Sequence, residues 1–310
     1  MPMTRRGAPE SGERYLVGLV GAGIGTSLSP ALHERAADRL GLRYLYQLID
    51  LDHLDLGPDA VGSLLAGARR LGFRGLNVTH PCKQAVLPYL DELSDEAAAV
   101  EAVNTVVFDG GRAIGHNTDV FGFERSFRRG LGDAATGLVV LLGAGGAGAA
   151  VATAMLRLGA ARVVVVDPDT DRARGLVEAA GARFGGDRVT VGLHDRVAEH
   201  LGRADGLVNA SPVGMTGHPG TPVDPRLVPP GTWVADIVYR PLRTRLLAEA
   251  GRRGCRTLDG GGMAVFQAAR AFEILTGHTP DTGSMLADLA ALAGHDGETG
   301  RDGQMEAARA

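Results

Sequence analysis

At 310 residues, with 45% apolar and 22% charged residues, the chain has the make-up of a soluble globular protein and exceeds what one hydrophobic core usually serves, which points to two domains. Its formal net charge of -4 comes from 32 basic and 36 acidic residues scattered along the chain, and without a clustered basic surface a nucleic-acid partner is not expected. Cys82 and Cys255 lie far apart and match no C-x-x-C spacing, which argues against a disulfide framework or a zinc site and fits a reducing cytoplasm.

The opening Met1 to Glu13 carries Arg5 and Arg6 with no apolar run behind them, so it reads as a loose terminus rather than a secretory signal. Apolar runs then alternate with amphipathic stretches: Tyr15 to Val20 as a strand, Pro30 to Leu40 as a helix, Tyr44 to Ile49 as a strand, Ala60 to Leu71 as a helix and Gly75 to Val78 as a strand. Strands separated by helices of this length imply parallel pairing in an α/β sheet. Thr105 to Phe108, the turn Asp109-Gly110-Gly111 and Ala113 to Gly115 read as a hairpin, and Val120 to Arg129 as the helix that follows. A second series opens with strands at Leu138 to Leu142, Arg162 to Val166, Val189 to Val191, Gly206 to Val208 and Trp233 to Ile237, with helices between them. That is the pattern of a doubly wound Rossmann-type domain with its pocket beyond the carboxyl ends of the strands.

Ala134 to Leu156 holds no charged residue and is long enough for a bilayer, but glycines in its middle mark a strand turning into a helix, and a buried parallel strand is apolar on both faces. No membrane partner is expected. The helices Met263 to Leu275 and Ser284 to Leu292 should return to the first domain, and the Gly-, Asp- and Glu-rich segment beyond Gly294 has no apolar period and is expected to be disordered. The expected division is residues 14–119 with 261–294 as one α/β domain, 120–260 as the dinucleotide domain, and 1–13 and 295–310 as tails.

Gly143-Ala144-Gly145-Gly146-Ala147-Gly148 has the G-x-G-x-x-G spacing, directly after an apolar strand and opening an Ala-rich helix. The first glycine permits the tight turn, the second lets the backbone approach a pyrophosphate, the third allows close packing of helix on strand, and the helix amino end faces the phosphates. A turn that binds no nucleotide is the plainer alternative. The next strand ends on Asp167, where a carboxylate accepts hydrogen bonds from the ribose hydroxyls of NAD and repels the 2′-phosphate of NADP. Arg172, near enough to reach the adenosine end, argues the other way; with Pro168 and Asp169 supplying no cation, NAD is expected over NADP.

Polar clusters sit at the expected ends of the first-domain strands: Ser27-Leu28-Ser29-Pro30, Asn77-Val78-Thr79, Lys83, Asn104 and Asn117-Thr118-Asp119. Two hydroxyls at alternate positions before a helix that starts with Pro30 can both donate to one carboxylate, although Ser29 serves equally as a helix cap. Taken singly, Lys83 reads as a solvated helix residue and Asp119 as the cap of Val120 to Arg129.

In order and spacing, S-L-S-P, N-V-T-H-P-C-K, A-V-N-T, N-T-D and G-A-G-G-A-G, closed by Asp259-Gly260 and Met263 to Gln267, resemble the shikimate dehydrogenase family over roughly Tyr15 to Leu292. The resemblance implies a two-domain α/β oxidoreductase with its cleft between a substrate domain and a Rossmann domain. It gives Ser27, Ser29 and Tyr239 to the substrate carboxylate, Thr79, Asn104 and Gln267 to the ring hydroxyls, and Lys83 and Asp119 to catalysis. Reduction of a ketone needs a proton donor beside the oxygen that becomes alkoxide, which agrees with a lysine held by a carboxylate. By the same resemblance Asn209, Ala210, Met215 and Gly262 approach the nicotinamide. Where many NADP-using members read N-R-T, this chain reads Asp167-Pro168-Asp169, as in the NAD-using quinate/shikimate subgroup.

Cys82, often aromatic in that family, is read as packing, and His33, His80 and His116 as structural, with no metal expected. The implied reaction is reversible hydride transfer between shikimate and 3-dehydroshikimate, with NAD as the expected carrier, in the shikimate pathway of aromatic amino acid biosynthesis, by a monomer or homodimer. Quinate or an aminoshikimate is the alternative substrate, and a non-catalytic sensor of the same ligands the alternative class.

Overall fold

The computed structural model describes residues 13–293; of the expected tails at 1–13 and 295–310, all but Glu13 lie outside the described residues. Glu13, assigned to the leading tail, is tied down instead, because its carboxylate takes the Tyr15 hydroxyl and His278 Nε2, the latter at 2.8 Å.

Two six-stranded sheets organise the chain. The first is built from β1 (Arg14–Gly21), β2 (Arg43–Asp50), β3 (Gly75–Val78), β4 (Glu92–Leu93), β5 (Thr105–Asp109) and β6 (Arg112–His116), in the order β2-β1-β3-β5-β6-β4. As expected, β1, β2 and β3 run parallel, while β5 and β6 form an antiparallel hairpin with Asp109 opposite Arg112. Gly110 (φ 54°) and Gly111 (φ 83°) occupy its turn, where two consecutive left-handed residues match the twist of the strands they join.

The second sheet comprises β7 (Leu138–Leu142), β8 (Arg162–Val166), β9 (Val189–Val191), β10 (Gly206–Asn209), β11 (Trp233–Asp236) and β12 (Thr257–Leu258), all parallel, ordered β12-β11-β10-β7-β8-β9. The order reverses direction at β7, whose carboxyl end abuts that of β10 through Leu142 and Asn209, and a crevice opens at such a point. Alternate residues of β7 and β8 feed two separate cores. Val139, Leu141, Val163 and Val165 pack on the Gly146–Arg157 helix side, and Val140, Leu142, Val164 and Val166 on the other. This double burial explains the uncharged run in the sequence, each such side chain contributing roughly 1.5–3 kcal/mol.

The Gly261–Thr276 helix and the helix over 282–293 return to the first sheet. There Val265, Ala269, Phe272, Met285 and Leu289 close on Leu28, Leu32 and Ala36. The Asp119–Leu131 helix serves both halves. Phe123 and Phe127 join the second domain's core, Phe127 edge-on to Trp233 with ring centroids 5.0 Å apart, while Gly122 lies against Gln267.

Candidate active site

Lys83 and Asp119 meet. The Lys83 ammonium lies 2.5 Å from Asp119 Oδ2, with side chains 20% and 6% exposed, so the pair is sheltered yet reachable. Local folding sends both there: β3 ends at Val78, and the Thr79 carbonyl takes the Cys82 N–H as the short Cys82–Ala85 helix begins. At Asp119 the capping alternative is settled by its neighbour. Asn117 Oδ1 accepts the N–H groups of Asp119 and Val120, which leaves the Asp119 carboxylate free for the lysine. Its second oxygen, Oδ1, accepts Asn104 Nδ2 at 2.9 Å. Asn104 Oδ1 in turn accepts the Thr118 N–H, and Thr118 Oγ1 lies 3.4 Å from Gln267 Oε1. Gln267 reaches this point because Gly122 and Gly262 let the two long helices close up: a Cβ on Gly122 would fall 2.8 Å from the Met263 carbonyl, and one on Gly262 2.4 Å from Ser126 Oγ.

At the other end of the cluster, Ser29 is not the helix cap. Its helix, Ser29–Arg39, begins after Leu28 with no side-chain cap, and Ser27 Oγ accepts the Ser29 N–H at 3.2 Å. Each serine hydroxyl has a tyrosine for a neighbour, Ser27 beside Tyr239 and Ser29 beside Tyr46, and burial pushes both phenols above their ordinary pKa. Tyr239, on the segment after β11, packs on the cluster that holds Leu28, so the second half of the chain contributes to the first half's site. Thr79 stands half-buried at the end of β3.

The glycine loop adjoins this cluster. Gly143 (φ 98°) needs its freedom, since a Cβ there would lie 2.9 Å from the Ala210 backbone, and one on Gly148 would fall 2.1 Å from the Gly143 carbonyl. Gly145 faces open space, and the Gly146–Arg157 helix starts with no side-chain cap, leaving N–H groups for an anion. A Cβ on Gly146 would touch Lys83 Cβ and Cδ at 3.6 Å, so the helix end that follows the loop lies against the lysine stem.

Asp167, at the end of β8, accepts the Ala144 N–H at 2.8 Å and the Asp169 N–H at 2.9 Å; a carboxylate has about four acceptor sites, so capacity remains for ribose hydroxyls. Arg172 is exposed and turned to Asp169, 3.8 Å away. Asn209 is placed differently from the sequence expectation. It is fully buried, with Nδ2 donating to the Val213 carbonyl and Asp236 Oδ1 and its own Oδ1 accepting the Ser211 N–H and hydroxyl, so its side chain holds the loop after β10 and has no hydrogen-bonding site left for a ligand. Ala210 lies against the glycine turn, and Met215 stands exposed further along the same segment.

Asn77, Asn117, Thr118 and Tyr46 were given no role from the sequence. The first three sat inside visible polar clusters, whereas Tyr46 looked like one more alternating strand residue. Cys82 is fully buried and its thiol pKa is raised by burial, and His33, 1% exposed among aromatic rings, is held near a pKa of about 3, both packing roles. Among the described residues no group of three or more His, Cys, Asp or Glu could hold a metal ion, and no helix is long and apolar enough to cross a membrane.

Three family profiles match the chain: a shikimate dehydrogenase substrate binding domain over residues 19–106, a saccharopine dehydrogenase NADP binding domain over 139–215, and a shikimate 5'-dehydrogenase C-terminal domain over 260–289. A shikimate dehydrogenase (NADP(+)) of Streptomyces avermitilis is 59% identical over 91% of this chain and 97% of its own length. A quinate/shikimate dehydrogenase (NAD(+)) of Corynebacterium efficiens is 46% identical over 90% and 99%. Among solved structures, a quinate dehydrogenase from Corynebacterium glutamicum in complex with NAD superposes with a TM-score of 0.84 at 42% identity, covering 90% of this chain and 99% of that one.

Proposed function

The chain belongs to the shikimate dehydrogenase family of NAD(P)-linked oxidoreductases, and from that membership we propose that it interconverts shikimate and 3-dehydroshikimate with NAD as its preferred carrier. The observation that carries this reading is the closeness of Gly146, at the glycine-loop helix end, where only a side chain's first carbon would fit before the stem of a lysine whose ammonium is held by Asp119. The loop fits a dinucleotide: it is open at Gly145, closed at Gly143 and Gly148, and uncapped at its helix end.

When bound there, the nicotinamide supplies or accepts the hydride. In the reducing direction the ketone carbon gains that hydride, and the Lys83 ammonium gives a proton to the oxygen; in the oxidising direction the lysine takes it back. Asp119 holds the ammonium in place, and Asn104 holds Asp119. Ser27, Ser29 and Tyr239 bind the carboxylate of the ring acid, and Thr79, Asn104 and Gln267 its hydroxyls. The chain buries the pair enough to limit water while leaving Lys83 accessible.

Named relatives divide between NAD and NADP, so the preference rests on Asp167 and on Arg172, whose charge is already engaged by Asp169. Two carboxylates at the ribose end disfavour a 2′-phosphate. We expect kcat/KM for shikimate to be at least about tenfold higher with NAD than with NADP, a difference of ~1.4 kcal/mol. The assay is the growth of reduced-cofactor absorbance over four combinations, shikimate or quinate with either cofactor. Faster turnover with NADP would overturn the preference, faster turnover of quinate would change the substrate, and flat traces for every ring acid would favour a ligand sensor.

A further inference from the structure

We infer that Tyr46 is a positioning residue that ties the acid-binding end of the site, at Ser29, to the Lys83–Asp119 pair through one buried, one-directional chain of hydrogen bonds. The Tyr46 hydroxyl donates to Asn77 Oδ1 at 2.8 Å. Asn77 Nδ2 donates to Thr105 Oγ1 at 3.0 Å, Thr105 Oγ1 to Asn104 Oδ1 at 3.0 Å, and Asn104 Nδ2 to Asp119 Oδ1 at 2.9 Å. Every donor points the same way, and the chain ends on the carboxylate that holds the lysine.

The direction is forced by the chemistry of the groups. A phenol has one proton, and Tyr46, 6% exposed and kept neutral by burial, always has it to give. Once that proton occupies Asn77 Oδ1, the amide must present Nδ2 to Thr105. The threonine, having accepted, turns its own proton to Asn104 Oδ1, which also takes the Thr118 N–H, and with Oδ1 so occupied Nδ2 is left for Asp119. Asn77 is 7% exposed, Asn104 4% and Thr105 0%, so water cannot replace a missing member at little cost.

At the near end the free acceptor side of the Tyr46 oxygen faces the Ser29 hydroxyl. The tyrosine itself is fixed: its backbone N–H on edge strand β2 is taken by Glu34 Oε1 at 3.0 Å, and its ring packs on His33 with centroids 4.9 Å apart. Neither of those holds uses the hydroxyl. The oxygen is therefore available for one task, setting where Ser29 and Asn77 point.

This inference rests on the proposed reaction, and its test separates the two. Tyr46→Phe keeps the ring, the Glu34 bond and the packing volume, and removes only the hydroxyl. Wild type, Y46F, Ser29→Ala and the double variant are compared by shikimate and cofactor KM, kcat and thermal midpoint. We expect Y46F to raise shikimate KM by roughly three- to tenfold, the worth of one neutral buried hydrogen bond, with cofactor KM unchanged. The Ser29→Ala loss should be smaller in the Y46F background than in the wild type, because the two hydroxyls act through each other. An active wild type with unchanged shikimate KM in Y46F, or with independent Ser29 and Tyr46 losses, overturns the positioning role alone, even if the thermal midpoint falls. A wild type inert towards ring acids overturns the proposed reaction and this inference with it.

Discussion

Lys83→Ala should lower turnover by on the order of 10²–10⁴-fold while leaving cofactor affinity essentially unchanged, the loss typical of a missing general acid. The asymmetry follows from where the atoms lie. Alanine retains the Cβ that rests beside Gly146, so the glycine loop keeps its neighbour, while the ammonium 2.5 Å from Asp119 is gone. The variant also leaves a carboxylate that is 6% exposed with Asn104 as its side-chain donor, so the folded state is destabilised as well. Cofactor affinity is therefore measured by titration on protein whose circular dichroism is native, with Lys83→Gln, which keeps a neutral donor, as the second variant. Equal losses in turnover and cofactor affinity would contradict the assignment.

A comparably large effect is expected from Gly148→Ala, in the opposite parameter. A Cβ there would sit 2.1 Å from the Gly143 carbonyl, backbone against side chain, with no flexible group to yield. Either the helix or the turn must move, by a shift on the scale of an ångström, and displacements of that size cost on the order of 10²-fold where groups must be aligned. The expected result is a rise of that order in the KM for NAD, with the affinity for shikimate, measured by calorimetry without cofactor, little altered because Ser27, Ser29 and Thr79 lie in the other half. An unchanged KM for NAD would show that the glycine turn is not the dinucleotide cradle.

Much of the architecture was legible in the sequence because two signals were strong. Uninterrupted valine and leucine runs at β7 and β8 are what strands buried on both faces require, and their alternate residues do feed two cores. The Gly110-Gly111 hairpin and the glycine loop were legible because only glycine fits the backbone there. What escaped was short or decided by distant neighbours. β4 has two exposed residues, and the Asp95–Val100 helix has six, held by Ser94 as its cap, too few to show a period.

Local capping chemistry left Asp119 and Ser29 open because either reading satisfied the nearby N–H groups. Asn117 resolved the first by closing the turn itself, and Ser27 the second. Tyr46 carried no mark at all, since a tyrosine in an alternating strand is ordinary, and its importance comes from Asn77, 31 residues away. Asn209 is the reverse case. Its place at a strand end beside the crevice suggested ligand contact, but every hydrogen-bonding site on it is used by Val213, Asp236 and Ser211.

If ammonium and carboxylate act as one unit beside the glycine loop, a double-mutant cycle over Lys83→Ala and Asp119→Asn, read in kcat for shikimate oxidation, separates joint from independent action. The double variant should be about as slow as the slower single variant, because removing either member already disables the pair. Losses that multiply, or an Asp119→Asn enzyme with wild-type turnover, would contradict it.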